Sequence, residues 1–364
     1  MEKRQAGAER PRESAQDARE SQKAGASLVA ELARRRAAAD APPPDAPPQS
    51  QTPQIDAPAP GKSPPPAKAE SPVSDACLQR TSTLVANSIA IEETPALDAG
   101  AVAYMARMLV LVTLPHRDPK SPTYQRNNGT FWLTMTAEPQ LGMPFGKIPR
   151  LLMYWVTTEA VRTGKPELEL GDTLAVFMDE IGMPVRSHSG GEYGSITRFR
   201  NQAARLFGST VSYYRNDKGH IQLGGMRIAE EADLWWAKRD LTQASLWESK
   251  VLLSQPFFKE VTQHPVPVDK RAIKALRKHG CMALDIYTWL TYRMASLKEP
   301  TTVPWAALQG QFGAGYGRTR DFKAEFLKSL KPVHEVYRHV KASAGDDGLT
   351  IAPSLTHVPK RGGG

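Results

Sequence analysis

Tyr193-Gly194-Ser195-Ile196-Thr197-Arg198-Phe199-Arg200-Asn201-Gln202-Ala203-Ala204-Arg205-Leu206-Phe207 is the most informative stretch of this chain. At about 100° per residue it forms an amphipathic helix with two unlike faces. Ile196, Phe199, Ala203, Leu206 and Phe207 share one face. Thr197, Arg198, Asn201 and Arg205 share the other, with Gln202 at its edge. Solvated helix faces usually carry Glu and Lys; this polar face has no carboxylate. Arg pairs bidentately with guanine, and Asn or Gln with adenine, so these are the side chains that read base edges in a major groove. A plain solvated face is the competing reading.

The elements around this helix repeat in order. Upstream, Phe131–Thr136 alternates as a strand, Pro149–Thr163 reads as a buried helix, Leu168–Leu170 as a short strand, and Asp172 as the cap of a helix to about Ile181. Ser189-Gly190-Gly191 marks a turn. Downstream, Thr210–Arg215 and His220–Leu223 flank Asn216-Asp217-Lys218-Gly219, a hairpin signal. The order then recurs. Leu246–Leu253 reads as a strand, Asp269 caps a helix to about His279, and Leu284–Met294 is a helix. Val303–Trp305 is strand-like, and Ala306–Phe312 and Thr319–Leu330 are helices around Gly313-Ala314-Gly315. Val333–Val340 and Leu349–Ile351 make a second hairpin around Gly345-Asp346-Asp347-Gly348. Helix, strand, helix, turn, helix, hairpin, met twice, predicts an α+β chain with two tandem winged-helix domains.

A second reading helix falls at Gly317–Lys331. Phe322, Phe326 and Leu330 stack on its core side, while Arg318, Arg320, Lys323, Lys328 and Lys331 supply positive charge diluted by Asp321 and Glu325. Arg215, Lys218, Arg338 and Lys341, placed in or near the hairpins, are candidate phosphate contacts.

Composition agrees with a polyanionic partner. The 364 residues carry a net charge of +9 and a pI near 9.4, which favours nucleic acid or an anionic surface. Ala41–Pro72 is proline-rich, with Pro42-Pro43-Pro44 and Pro64-Pro65-Pro66, and cannot bury enough apolar surface to offset its chain entropy. It reads as an extended, disordered linker, preceded by a transiently helical Arg12–Ala39. Acidic and basic residues balance in this front part, so the positive charge belongs to the remainder of the chain. The expected divisions are a tail over 1–75, a first winged-helix domain over 76–245, a second over 246–355 and a flexible end over 356–364.

Cys77 and Cys281 are too few for a disulfide framework or zinc cluster, which fits a reducing compartment. Met1-Glu2-Lys3-Arg4 leads into charge, which argues against a secretory signal. Ala101–Leu114, interrupted by Arg107, is too short to span a bilayer and reads as a buried strand or helix.

Enzyme-like strings fail on spacing. Gly142-Met143-Pro144-Phe145-Gly146-Lys147-Ile148 is one residue short of a P-loop and has no Ser or Thr after the Lys. In His334-Glu335-Val336-Tyr337-Arg338-His339 the histidines are five apart, and the segment reads as a strand. His116 and His188 read as loop histidines, Cys281 as a small core residue, and Trp235, Trp236, Trp247 and Trp289 as core. No nucleophile with an adjacent base and no metal cluster emerges. The expectation is a protein without catalytic site, cofactor or metal.

Four groups of strings resemble the plasmid-encoded RepA initiator family. They are Thr113-Leu114-Pro115-His116-Arg117-Asp118-Pro119; Gly142–Gly146 with Pro149–Leu152 and Trp155–Ala160; Leu170-Gly171-Asp172 with Gly191–Phe207; and His264–Asp269, Leu284–Tyr287 and Trp289–Arg293. Trp305 and Gln311-Phe312-Gly313 also fit, so the resemblance spans roughly 99–358. It implies two winged-helix domains, binding to repeated double-stranded origin sites (iterons), and cytoplasmic action in a bacterium. It further implies monomers that initiate, homodimers that repress, and host partners including the initiator DnaA and the replicative helicase. The alternatives are a winged-helix transcriptional regulator or autorepressor that never starts replication and, from another class, a DNA-nicking enzyme.

Overall fold

The computed structural model describes residues 75–129, 131–180, 195–217, 220–234, 249–313 and 315–359. The first part of the described chain runs α1 (Asp75–Glu93), β1 (Val102–Ala106), α2 (Arg107–Leu111), β2 (Thr123–Asn127), β3 (Phe131–Thr136), α3 (Lys147–Thr163), β4 (Glu167–Glu169), α4 (Gly171–Glu180), α5 (Ser195–Phe207), β5 (Thr210–Asp217), β6 (His220–Arg227) and β7 (Ala229–Asp233). The rest runs β8 (Lys250–Leu253), α6 (Gln255–Gln263), β9 (Pro265–Asp269), α7 (Lys270–Leu276), α8 (Cys281–Met294), β10 (Thr301–Pro304), α9 (Trp305–Phe312), α10 (Thr319–Val336), β11 (Lys341–Ala344) and β12 (Gly348–Ala352). The mixed α+β class is as expected. The proline-rich stretch, the Ser189-Gly190-Gly191 turn, His188, Trp235, Trp236, Trp247 and Lys218 lie outside the described residues.

Helix α3 is at the centre because its sequence is apolar on nearly every side. Leu151, Leu152, Met153, Tyr154, Trp155, Val156 and Ala160 are all buried, and a helix apolar all round has no face for solvent. It starts after Gly146 and stops at Gly164, which adopts the left-handed conformation (φ 67°) that glycine tolerates at a helix end. The described residues form four antiparallel sheets: β1-β9, β2-β3-β5-β6, β4-β8-β7 and β10-β12-β11.

The two blocks of repeated elements share their order and differ in strand pairing. In the later block β10 pairs directly with β12, Thr301 opposite Ile351 and Pro304 opposite Gly348. That approach needs glycine: a Cβ on Gly348 would lie 2.2 Å from the Val303 carbonyl oxygen. In the earlier block β4 does not meet the β5–β6 hairpin. Instead β8 lies between β4 and β7, with Leu168 opposite Val251 on one side and Val251 opposite Ala232 on the other. The hairpin itself pairs with β3, Trp132 opposite Tyr214. Pairing of β1 with β9, Val102 opposite Asp269 through Ala106 opposite Pro265, ties the strand before the earlier block to the segment before the later one.

Two expected boundaries move. The last long helix continues past Leu330 to Val336, through Pro332. Phe322, Phe326, Ser329, Val333 and Val336 fall on one buried face, and burying the last two offsets the one backbone hydrogen bond that proline forgoes. Val333–Val336 is therefore helix rather than strand, and the second hairpin begins at Lys341. Asp269 caps α7 as expected, its carboxylate accepting from the Arg271 amide at 2.8 Å. The Arg271 guanidinium then donates to the Ala90 and Thr94 carbonyls, at 2.6 and 2.8 Å. That places a cation at the C-terminal end of α1, where it satisfies free carbonyls and opposes the helix dipole.

Candidate nucleic-acid interface

On α5 the core face is as read: Phe199, Ala203, Leu206 and Phe207 are buried. Of the polar side chains, Arg198 and Asn201 are exposed and Thr197 is partly so. Among the described residues Arg198 and Asn201 have no hydrogen-bond or ionic partner.

Gln202 departs from the expected edge of the polar face. It is 7% exposed, and its amide oxygen accepts from the Phe145 backbone N–H at 2.8 Å. Arg205 is partly buried. It donates to the Met143 carbonyl at 3.3 Å, and its guanidinium carbon stands 5.4 Å from the Phe145 ring centre. Both side chains thus anchor α5 to the turn 142–146. The string that imitates a P-loop is the seat of this helix, and the Arg205 guanidinium lies within ordinary contact distance of Gly142 (φ 83°).

That turn abuts the loop 113–119, which is pinned from three directions. The Gly146 amide donates to the Pro115 carbonyl at 3.0 Å, and Thr113 Oγ1 donates to the Gln311 carbonyl at 3.0 Å. Arg150, 2% exposed on α3, donates to the carbonyls of Leu114, Pro115 and Gly146, and bidentately to Asp285 of α8 at 2.7 and 2.8 Å. His116 Nε2 lies 2.8 Å from the same Asp285 carboxylate. His116 lies in a loop, as expected, and is in addition a partner of the buried Arg150–Asp285 pair. Burial pulls the His116 imidazole down and outweighs Asp285, which alone would raise it. Burial pushes the Asp285 carboxyl up, but the Arg150 charge and hydrogen bonds from His116 and Arg150 hold it below the usual carboxylate range.

On α10 the core side matches the reading, with Phe322 and Phe326 fully buried. Arg318 and Arg320 are 75% and 81% exposed and share Asp321, at 3.0 and 3.4 Å. Exposed pairs like these are worth about 0–1 kcal/mol, so both guanidiniums can exchange Asp321 for phosphate at little cost. Lys323 is turned inward, donating to the Gly345 carbonyl at 3.0 Å and lying 5.0 Å over the Trp305 ring. Lys328 is exposed beside Glu325 at 3.4 Å, and Lys331 is exposed.

The hairpin cations divide. Arg215 on β5 is exposed, with Asp217 at 3.6 Å. Lys341 is exposed at the start of β11. Arg338 is not in the second hairpin; it comes after α10 and pairs with Glu92 of α1 at 3.0 Å. The tip of that hairpin carries Asp346 and Asp347, which repel phosphate.

Trp289 is buried edge-on to Phe312, as expected of a core residue. Cys281, the first residue of α8, is partly exposed, and burial raises its thiol. Among the described residues no group of three or more His, Cys, Asp and Glu could hold a metal ion. None of their helices is long and apolar enough to cross a membrane.

Sequence reasoning misses two cations next to loop 113–119. Arg117 sits in a quoted string and Arg126 on an edge strand; nothing local signals that the fold brings them together.

Residues 143–306 match the family model described as plasmid-encoded RepA protein. No curated protein matches the chain. A solved structure of domains 2 and 3 of RctB is similar at 10% identity, over 67% of this chain and 96% of that one, with a TM-score of 0.38.

Proposed function

We propose that this chain, whose residues 143–306 match the family model described as plasmid-encoded RepA protein, is a replication initiator that binds repeated origin sites in double-stranded DNA. The observation that carries this reading is the outward face of α5. Arg198 and Asn201 stand there exposed and without partners among the described residues, on a helix that Gln202 and Arg205 anchor to the body. An exposed Arg–Asn face held rigidly is suited to reading base edges.

We read α8-β10-α9-α10-β11-β12 as one winged-helix unit. We read α3-β4-α4-α5-β5-β6 as a second, widened by the insertion of β8. In each, the last helix enters a major groove; the β5–β6 hairpin lies along the backbone, and the β11–β12 hairpin meets it only through Lys341, away from its acidic tip. Arg198 and Asn201 read bases; Arg215, Arg318, Arg320, Lys328 and Lys341 meet phosphates; Gln202, Arg205 and Lys323 position these elements. The resemblance extends the proposal to bacterial cytoplasm, to DnaA and the replicative helicase as partners, and to a repressing homodimer. The protein would contribute binding and no chemistry of its own.

The test is affinity for the repeats beside its coding region, measured against salt. With six or more phosphates contacted, affinity falls on the order of a thousandfold or more between about 50 and 200 mM salt. A flat dependence rejects the interface. A plasmid carrying only those repeats, replicating when the protein is supplied, separates an initiator from a regulator. Nicked circles from supercoiled origin DNA and magnesium would restore the enzyme alternative.

A further inference from the structure

Between the loop 115–119, Tyr124 and Arg126 of β2, and Gly315 and Tyr316 before α10, the protein leaves a cleft of about 430 Å³. Its charges can be counted one by one. Asp285, behind His116, is neutralised by Arg150. Asp118 is held by Lys120, whose amide donates at 3.0 Å and whose ammonium lies at 3.2 Å. Burial pulls His116 down, so it adds no positive charge at neutral pH. Arg117 and Arg126 remain. Arg117 is exposed. Arg126 is half-buried; its Nε donates to the Tyr124 hydroxyl at 2.8 Å, and its guanidinium carbon stands 5.0 Å from that ring's centre. Neither has a carboxylate partner among the described residues. A cleft with two uncompensated guanidiniums, one fixed by a tyrosine, suits a tetrahedral dianion or monoanion.

Its position says where the anion comes from. Arg205 at the end of α5 lies near enough to Asp118 to help hold that carboxyl down, after the larger effects of burial, which raises it, and Lys120, which lowers it. On the other side Tyr316, two residues before Arg318, feels Arg117: burial and Glu325 raise its phenol, and Arg117 opposes them. Tyr316 packs on Phe322 of α10 at 5.9 Å. The cleft therefore sits between the ends of the two candidate reading helices. Helix α9 closes on β2 behind it through Gly310, where a Cβ would be 3.2 Å from the Asn127 carbonyl oxygen.

We propose that Arg117 and Arg126 clamp one DNA phosphodiester in this cleft, between the two reading helices, and so fix the register of both on one site. This rests on the DNA-binding reading above.

Arg117→Gln, Arg126→Gln and the double variant would be compared with the parent on repeat DNA and on shuffled DNA. Lys165→Gln is the charge-matched control; it lies beyond the other end of α3, a 17-residue helix, roughly 25 Å from Gly146 at 1.5 Å per residue. The double variant should make the slope of log affinity against log salt shallower by about 0.9, the value for one phosphate. It should weaken both DNAs equally, and Lys165→Gln should leave the slope unchanged. A methylphosphonate at one position of the repeat should weaken the parent and leave the double variant unaffected. Unchanged melting temperatures exclude misfolding, and Arg126→Lys, which keeps the charge, covers the half-buried position.

Absence of any DNA binding by the parent overturns the premise and the clamp together. Salt-dependent binding by the parent, with an unchanged slope in the double variant, overturns the clamp alone. A double variant that binds DNA like the parent but loses an affinity for ATP would assign the cleft to a nucleotide and also reject the clamp.

Discussion

Replacing Asp285 by Asn keeps the size of the side chain and removes the carboxylate that, among the described residues, pairs with the Arg150 guanidinium, which is 2% exposed. Three carbonyls still accept from Arg150, but dipoles do not replace a counter-charge in a buried site. Breaking a buried pair on one side costs about 3–5 kcal/mol. At roughly 2 °C per kcal/mol for a unit of this size, the melting temperature should fall by about 6–10 °C. Arg150→Met should cost a similar amount, because it strands Asp285 and frees the carbonyls of Leu114 and Pro115. Replacing both, Arg150→Met with Asp285→Leu, should cost clearly less than the two singles added, since no buried charge is then left over. Urea unfolding of the four proteins at pH 7 measures the cycle. The Asp285 carboxyl is held below its usual range, so its contribution is complete above the unfolded value near 3.9 and is lost only as pH falls through the lower folded value. The difference between parent and Asp285→Asn should therefore be flat from pH 8 to 7, above the range in which His116, which Asp285 makes easier to protonate, takes up its proton. Single substitutions costing under about 1 kcal/mol, or strict additivity, would refute the idea that this pair welds α3, α8 and the loop 113–119.

Asn201→Ala should cost about 1–3 kcal/mol on the cognate repeat and relax preference at one base, read by competition against single-base variants. Arg205→Ala should instead lower thermal stability as well as binding, with preference broadly retained, because that side chain holds Met143 and Phe145; base-selective loss from Arg205→Ala would reverse the assignment. His357 is held down to about 4 by burial, which outweighs Asp269, with Arg271 and His339 also lowering it. An imidazole easier to protonate unfolded than folded has its full stabilising effect above pH 6.5 and loses it as pH falls toward 4, on the order of 3 kcal/mol in all. His357→Phe should flatten that part of the stability–pH curve, and a curve unchanged from the parent's would locate the acid sensitivity elsewhere. Gly348→Ala should cost about 1–3 kcal/mol, seen as a lower melting temperature, because the new methyl would run into the Val303–Pro304 backbone of β10.

The legible part of the sequence is local. The two faces of α5, the strand Phe131–Thr136, the helices α3, α8 and α9 and the cap at Asp269 come from periodicity and cap chemistry acting over a few residues. The illegible part depends on partners distant in sequence. Nothing in Leu246–Leu253 says that part of it enters between β4 and β7, or in His264–Asp269 that it pairs with β1. Gln202 lies on the polar edge by angle, yet the Phe145 amide claims it. Arg150 is the available signal: a charge set against the apolar run Leu151–Val156 needs a buried partner, and the partner is 135 residues away.

The insertion of β8 also sets a timetable for the growing polypeptide. Strand β4 ends at Glu169 and β8 begins at Lys250, so β4 has no neighbour until about eighty further residues have been made. At about 5–20 residues per second that is a wait of roughly 4–16 s, with an unpaired strand edge exposed. The carboxylate that Arg150 needs, Asp285, emerges later still. The earlier block thus cannot reach its final state as an independent folding unit, and a translational pause before Lys250 would prolong its most aggregation-prone interval.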